Sequence, residues 1–429
     1  MNKRLSENKG ITIVALIITI IVLLILTIVT INLATGNGVV DKSDEASKEY
    51  KISEEKEKIS IAYTEYNARK MTDNNAQPEL DDIATVSENG QNGWKIVFLD
   101  TKHFYTLSKD GKKVVGPINE EEFESVKWTQ TSEGITDGKN VLKIGDYVAY
   151  DELENGEKNY SIDYTINGGN SKTDTQILTT EDLKWRVIGV NENGQLELIS
   201  ENPTTSTVFL KGEKGYLNIE SILNEVSNQL YGKGKKAESA RSIDVEDINR
   251  IANITTDKQK KTLDSNYGTI WKYRFPTETE VSGTRYMQSS KDGGKTWKNI
   301  TTAGYQKFCV PGDENELNAN NPGTKDVTYS CYYYVLSNKI KDTGILDMLL
   351  KGTGSKNIKQ WLASTCTFAD TSYAFFYARI INDNGRIDHN MLYRSSGTTN
   401  NAKYAFRPIV TLKSNAKIEN KINGEWQIN

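Results

Sequence analysis

Between Ile11 and Ala34 the chain reads ITIVALIITIIVLLILTIVTINLA, two dozen residues without one charged side chain. At 1.5 Å of rise per residue, a helix of this length covers the roughly 30 Å hydrocarbon thickness of a bilayer. Lipid offers no partner to an unpaired backbone N–H or C=O, so the segment predicts a helix. Thr12, Thr19, Thr27 and Thr30 fit such a helix, because a hydroxyl bonds the carbonyl one turn back. Lys3, Arg4 and Lys9 precede the run against one acid, Glu7. That positive flank predicts a cytoplasmic start, with everything after Ala34 outside.

A plain signal anchor, a cleaved secretory signal and a prepilin leader joined to a pilin helix all begin in this way. A secretory signal has an apolar region of about 7–15 residues. This one is longer, although Ala34-Thr35-Gly36 offers a small-residue cleavage site. The prepilin reading rests on an abrupt junction, in which the polar leader ends in Lys9-Gly10 and the apolar run begins at Ile11.

MNKRLSENKG followed by ITIVALIITIIVLLIL resembles the type IV pilin-like proteins, with their prepilin-type N-terminal methylation, of clostridia and related Gram-positive bacteria. The resemblance implies a processing site of Lys9, Gly10 and Ile11, where a prepilin peptidase cuts after Gly10 and the new Ile11 amine is N-methylated. Glycine suits the cut, because a peptidase gripping extended backbone meets no side chain there. Membrane lipid and other pilin subunits are the further partners it implies. One position departs from the pattern: assembling pilins carry Glu five residues into the mature helix, where it pairs with a neighbouring subunit's N-terminus, and here Ala15 stands. An unpaired ammonium in an apolar filament core is costly. The departure points to a minor pilin, a pseudopilin or an anchored relative rather than a bulk filament subunit.

The remaining sequence is polar, with a formal net charge of −4 and no Lys/Arg stretch interleaved with aromatics, so nucleic acid is not an expected partner. Cys309, Cys331 and Cys366 lack C-x-x-C spacing. A Cys309–Cys331 bridge leaving Cys366 over is one reading, and three buried thiols packing as small hydrophobes is the expected one. With His103 and His389 the only histidines, neither a His-rich metal centre nor a His-dependent triad is expected. No cofactor, no metal and no catalytic set is assigned.

Periodicity divides the chain into a leader (1–10), a membrane helix (11–34), a pilin-like unit of amphipathic helix plus small antiparallel sheet (35–116), a linker (117–140), a larger α+β ectodomain (141–415) and a tail (416–429). Apolar residues recur at helical spacing over 43–70, and 71–93 reads as loop. Strands are predicted at 94–99, 104–107 and 114–115. In the ectodomain 144–150 reads as a strand, 183–190 pairs with 195–200 across Asn193-Gly194, and helices are predicted at 219–231 and 245–251, the second N-capped by Asp244. Residues 361–364 and 373–381 are strand-like, and 406–412 is the closing strand, its Pro408 implying an edge or a strand start. This order, with its closing Trp and Arg-Pro pattern, is similar to C-type-lectin-like and sulfatase-modifying-factor-like α+β domains over residues 141–413.

Asn382 to Asp388 is oxygen-rich like a calcium loop, but Asn384-Gly385 between strands reads as a turn. Tyr332-Tyr333-Tyr334 and Trp361 are aromatics suited either to sugar stacking or, as expected here, to core packing. Arg379, Arg386, His389, Arg394 and Arg407 make the last stretch basic, as an anion site or as solvated strand faces. The combined expectation is a single-pass protein of the cell membrane, in or outside a pilus, presenting a binding ectodomain to an extracellular glycan or protein for adhesion. The alternative is an anchored extracellular enzyme related to sulfatase-modifying-factor-like folds.

Overall fold

The computed structural model describes residues 39–71, 76, 78–88, 93–120, 126–277, 285–301, 305–332, 346, 348–350 and 358–428. Lys9, Gly10, Ile11, Ala15 and the apolar run lie outside these. No helix among the described residues is long and apolar enough to cross a membrane. The chain is α+β and divides into two compact units, Met1–Phe123 and Glu124–Asn429.

The first unit is one long helix on an antiparallel meander. Val39–Lys70 carries neither Gly nor Pro, and its Glu54 and Lys58 pair one turn apart at 2.7 Å. An exposed pair of this kind contributes only about 0.3–0.5 kcal/mol. Packing of one face does more: Glu55, Ile59, Ala62 and Tyr66, at steps of four, three and four, are buried. That face meets the strands Ala84–Glu88, Trp94–Phe98, Phe104–Leu107 and Val114–Ile118, hydrogen-bonded in this order. Trp94, Ile96 and Phe98 alternate inward with Tyr105 and Leu107. Each such side chain contributes about 1.5–3 kcal/mol on leaving water. Glu55 is the polar exception: Thr101 Oγ1 donates to it at 2.6 Å, His103 Nδ1 lies 2.7 Å away and Tyr105 OH donates at 2.7 Å. Burial pushes the Glu55 carboxyl up, but these partners outweigh it and hold the group below its ordinary range.

The second unit is built on two larger sheets. One runs in the order Ala237–Ser242, Pro408–Leu412, Leu196–Ser200, Trp185–Val190, Tyr147–Ala149, Glu425–Ile428, Ile418–Ile422. The other runs Thr207–Lys211, Asn401–Ala405, Gln360–Ala369, Ala374–Ile381, Ile387–Arg394. The helix Gly212–Tyr231 joins them through one core, where Ile219, Leu223 and Val226 meet Trp185, Leu198 and Val410 of the first sheet and Trp361, Ala378 and Ile380 of the second. Ile188, Ile199 and Ile409 enter a second core with Ile248, Leu349 and Leu362. Leu196–Ser200 and Pro408–Leu412 are therefore buried at every position, which explains why these runs do not alternate.

Three expectations change. Ala84–Glu88, inside the predicted loop 71–93, is an edge strand paired with Trp94–Phe98. Of the predicted linker, residues 126–140 belong to the second unit, where Trp128 and Ile135 are core residues and Thr129–Gln130, Ile135–Thr136 and Val141–Leu142 form a small sheet. The predicted tail supplies two strands, because Trp426 and Ile428 pack on the core and Glu425–Ile428 runs parallel to Tyr147–Ala149. Pro408 starts its strand, one of the two places read for it, and the strand is interior, pairing on one side with Ala237–Ser242 and on the other with Leu196–Ser200. The first residue of a strand can lack an N–H without breaking the ladder.

Candidate functional site

A third core, rich in aromatics, packs residues between Trp271 and Cys331 with Cys366, Phe376 and Tyr393, beside a sheet in the order Lys298–Asn299, Gln288–Ser290, Ile270–Phe275, Gly323–Thr328. Its tightest local structure is the hairpin around Ser290-Lys291-Asp292-Gly293-Gly294-Lys295-Thr296-Trp297. Asp292 accepts from the backbone N–H of Lys295 at 3.0 Å and of Thr296 at 2.9 Å, and from the Thr296 hydroxyl at 2.5 Å. Ser290 donates to Asp292 at 2.7 Å, and its oxygen accepts from the Gly294 N–H at 2.9 Å. Gly293 and Gly294, with φ of 75° and 91°, supply the left-handed backbone that the turn needs. Trp297 closes the motif under the Arg274 guanidinium, 4.3 Å from the ring centroid. The hydrogen bonds from Thr296, first through its side chain, hold the Asp292 carboxyl far below the usual carboxylate range.

Beside the hairpin opens a cavity of about 340 Å³ lined by Trp271, Ser289, Ser290, Lys291, Asp292, Thr296, Lys298 and Thr371. Lys291 and Lys298 are exposed, while Trp271 is buried and its indole N–H meets no acceptor among the described residues. Lys291 Nζ stands 5.8 Å over the Trp271 ring and donates to Asn266 at 2.8 Å. The Ser289 hydroxyl donates to Thr371 O at 2.8 Å and those of Ser290 and Thr296 to Asp292. The cavity presents two exposed ammonium groups, and the hydroxyls of Ser289, Ser290 and Thr296 are already engaged as donors.

Of the residues singled out from the sequence, Cys331, Cys366 and His389 come together, and the others among the described residues are scattered. Cys331 and Cys366 form a disulfide and Cys309 is free and buried, which corrects both cysteine readings. Sequence spacing does not show that Cys331 and Cys366, 35 residues apart, lie at a Cα separation of 5.1 Å. Tyr332 is buried, with its hydroxyl accepting from Asn249 at 2.6 Å, and Trp361 is buried, donating to Val208 O at 2.8 Å. Neither presents a face to a sugar; Tyr333 and Tyr334 lie outside the described residues. Asn382 to Asp388 is a hairpin turn whose Asn382 Oδ1 accepts from Asn384 and Arg386 N–H groups.

The basic stretch is dispersed. Arg407, fully buried, donates to the carbonyls of Ser200, Glu201, Met348 and Leu349, and burial pulls it down to about 9. Arg379 is buried against the carbonyls of Ser330 and Tyr332, Arg394 lies 4.5 Å over the Tyr373 ring, and Arg386 is exposed. The hairpin and its cavity escaped the sequence reading, although Asp292-Gly293-Gly294 carries a turn signal. No family model, no curated protein and no solved structure matches this chain.

Proposed function

We propose that this is a membrane-anchored, surface-exposed protein of the type IV pilin-like class, a minor pilin or pseudopilin whose larger unit binds an extracellular glycan or protein. The observation that carries the reading is the junction Lys9-Gly10-Ile11 ahead of an uncharged run long enough to span a bilayer. The first unit supports it: beyond the run, one helix packs its buried face on a small antiparallel sheet, the arrangement expected of a pilin-like domain. Ala15 in place of the usual Glu favours a minor position over the filament bulk. A binding role for the second unit is favoured by the cavity beside the 288–299 hairpin, where the hydroxyls of Ser290 and Thr296 donate within the turn, that of Ser289 donates to Thr371 O, and Lys291 and Lys298 are exposed. The C-type-lectin-like architecture belongs to this proposal for residues 141–413.

Gly10→Phe in cells that carry a prepilin peptidase tests the anchor. The expected result is an uncut, membrane-bound precursor alongside a processed wild type. Identical masses for the two products would overturn it. For the second unit, glycan and protein arrays probed with the full chain in detergent are expected to give a binder that is weakened by Lys291→Glu with Lys298→Glu. Silence on every array counts against the binding role.

A further inference from the structure

The Cys331–Cys366 pair lies against His389, and the two Sγ atoms and a ring nitrogen are all within 4.8 Å of one another. Cys366 comes from Gln360–Ala369 and His389 from Ile387–Arg394, with Ala374–Ile381 between them in the sheet. Tyr377, opposite Cys366 on the middle strand, has its ring centroid 4.0 Å from that of the imidazole. Cys331 arrives on a segment tied to the Cys366 strand, since Ser330 N–H and Cys331 N–H both donate to Thr367 O, at 2.8 and 3.2 Å. Arg379 grips this segment on both sides of Cys331, donating to Ser330 O at 3.1 Å and to Tyr332 O at 2.5 Å. All three donors are therefore held by contacts that do not run through the sulfur–sulfur bond.

We propose that this disulfide is the oxidised form of a buried site of two thiolates and one imidazole which, once reduced, takes a thiophilic d10 cation, Zn²⁺ or Cu⁺. Thiolate sulfur with imidazole nitrogen selects such ions over the oxygen-seeking Mg²⁺ and Ca²⁺. With metal–sulfur bonds of about 2.3 Å, two sulfurs on one ion stand roughly 3.7 Å apart. Side-chain rotation reaches that separation from Cα atoms 5.1 Å apart. A neutral imidazole brings one ring lone pair to the cation. The reductant is a low-molecular-weight dithiol: it supplies two electrons and two protons, the S–S bond breaks to give two thiols, and the dithiol closes to its own disulfide. On binding the cation, both thiol protons pass to solvent.

The test uses the full chain in detergent, reduced with dithiothreitol, desalted without oxygen and given Zn²⁺ or Cu⁺ in separate arms. Elemental analysis after a second desalting is expected to find one cation per chain in at least one arm, and none in the oxidised chain. Co²⁺ in place of Zn²⁺ is expected to show a thiolate-to-metal charge-transfer band. Cys331→Ser and Cys366→Ser should retain no cation, His389→Phe should bind at least about tenfold more weakly, and Cys309→Ser should still hold one. No retention in either arm, equal retention by Cys366→Ser, or unchanged affinity in His389→Phe overturns the site. Circular dichroism covers the case in which reduction unfolds the chain: refolding on cation addition supports the site, and a chain that stays unfolded refutes it.

Discussion

Replacing Glu55 with alanine removes the acceptor on which three side chains of the 99–105 region converge, at 2.6, 2.7 and 2.7 Å. A hydrogen bond to a charged group contributes about 1.5–3 kcal/mol, and a buried donor left without a partner costs about 1–3 kcal/mol. Tyr105 is fully buried, so its hydroxyl has no water to turn to. Because the three bonds share one carboxylate they do not add, and a loss of about 3–5 kcal/mol is expected, as for breaking a buried pair. At about 1.4 kcal/mol per tenfold, that is roughly two to three and a half decades in the opening equilibrium. Hydrogen exchange of the full chain reads it locally, as lost protection in Trp94–Phe98 and Phe104–Leu107, while Gln360–Ala369 in the other unit stays unchanged.

Acid should reproduce part of the effect in the wild type. A carboxyl whose folded pKa lies below its unfolded value of about 4.5 contributes fully above that pH and loses its contribution as pH falls below it. Lys58→Ala, which breaks only an exposed pair, should shift exchange by under about 0.5 kcal/mol. Wild-type protection in Glu55→Ala at pH 7 would refute the reasoning.

Arg407→Met strips donors from four buried carbonyls and should destabilise the second unit by about 3–5 kcal/mol, read from the tryptophan-fluorescence unfolding midpoint of the full chain. Burial and then the charge of Asp247 raise Asp244 to about 6. The folded state therefore binds the extra proton between about pH 4 and 6, and that group's contribution falls as pH rises through the window. Asp244→Asn keeps an N-cap acceptor for the Asp247 N–H and should flatten this fall without loss at pH 7, as shown by urea midpoints measured from pH 4 to 7.

The parts legible in the sequence are those where one local rule dominates. The stripe of Ile59, Ala62 and Tyr66, the turn at Asn193-Gly194 and the Asp244 cap with its reciprocal Asp247 bond all follow from spacing within a few residues. The long-range parts were hidden. Nothing near Trp426 indicates that its strand lies parallel to Tyr147–Ala149, and nothing near Cys331 indicates a partner at Cys366. Arg379 and Arg407 read as surface charge because composition does not show which arginines meet buried carbonyls. Of the two readings of Pro408, an edge or a strand start, the second holds, while the interior place of its strand is set by partners far away in sequence.

Mass spectrometry of the N-terminus of the protein isolated from its native membrane tests the central claim most directly. A chain that begins with N-methylated Ile11 is the expected result. A chain that retains Met1, or one cut near Gly36, would contradict the pilin-like reading.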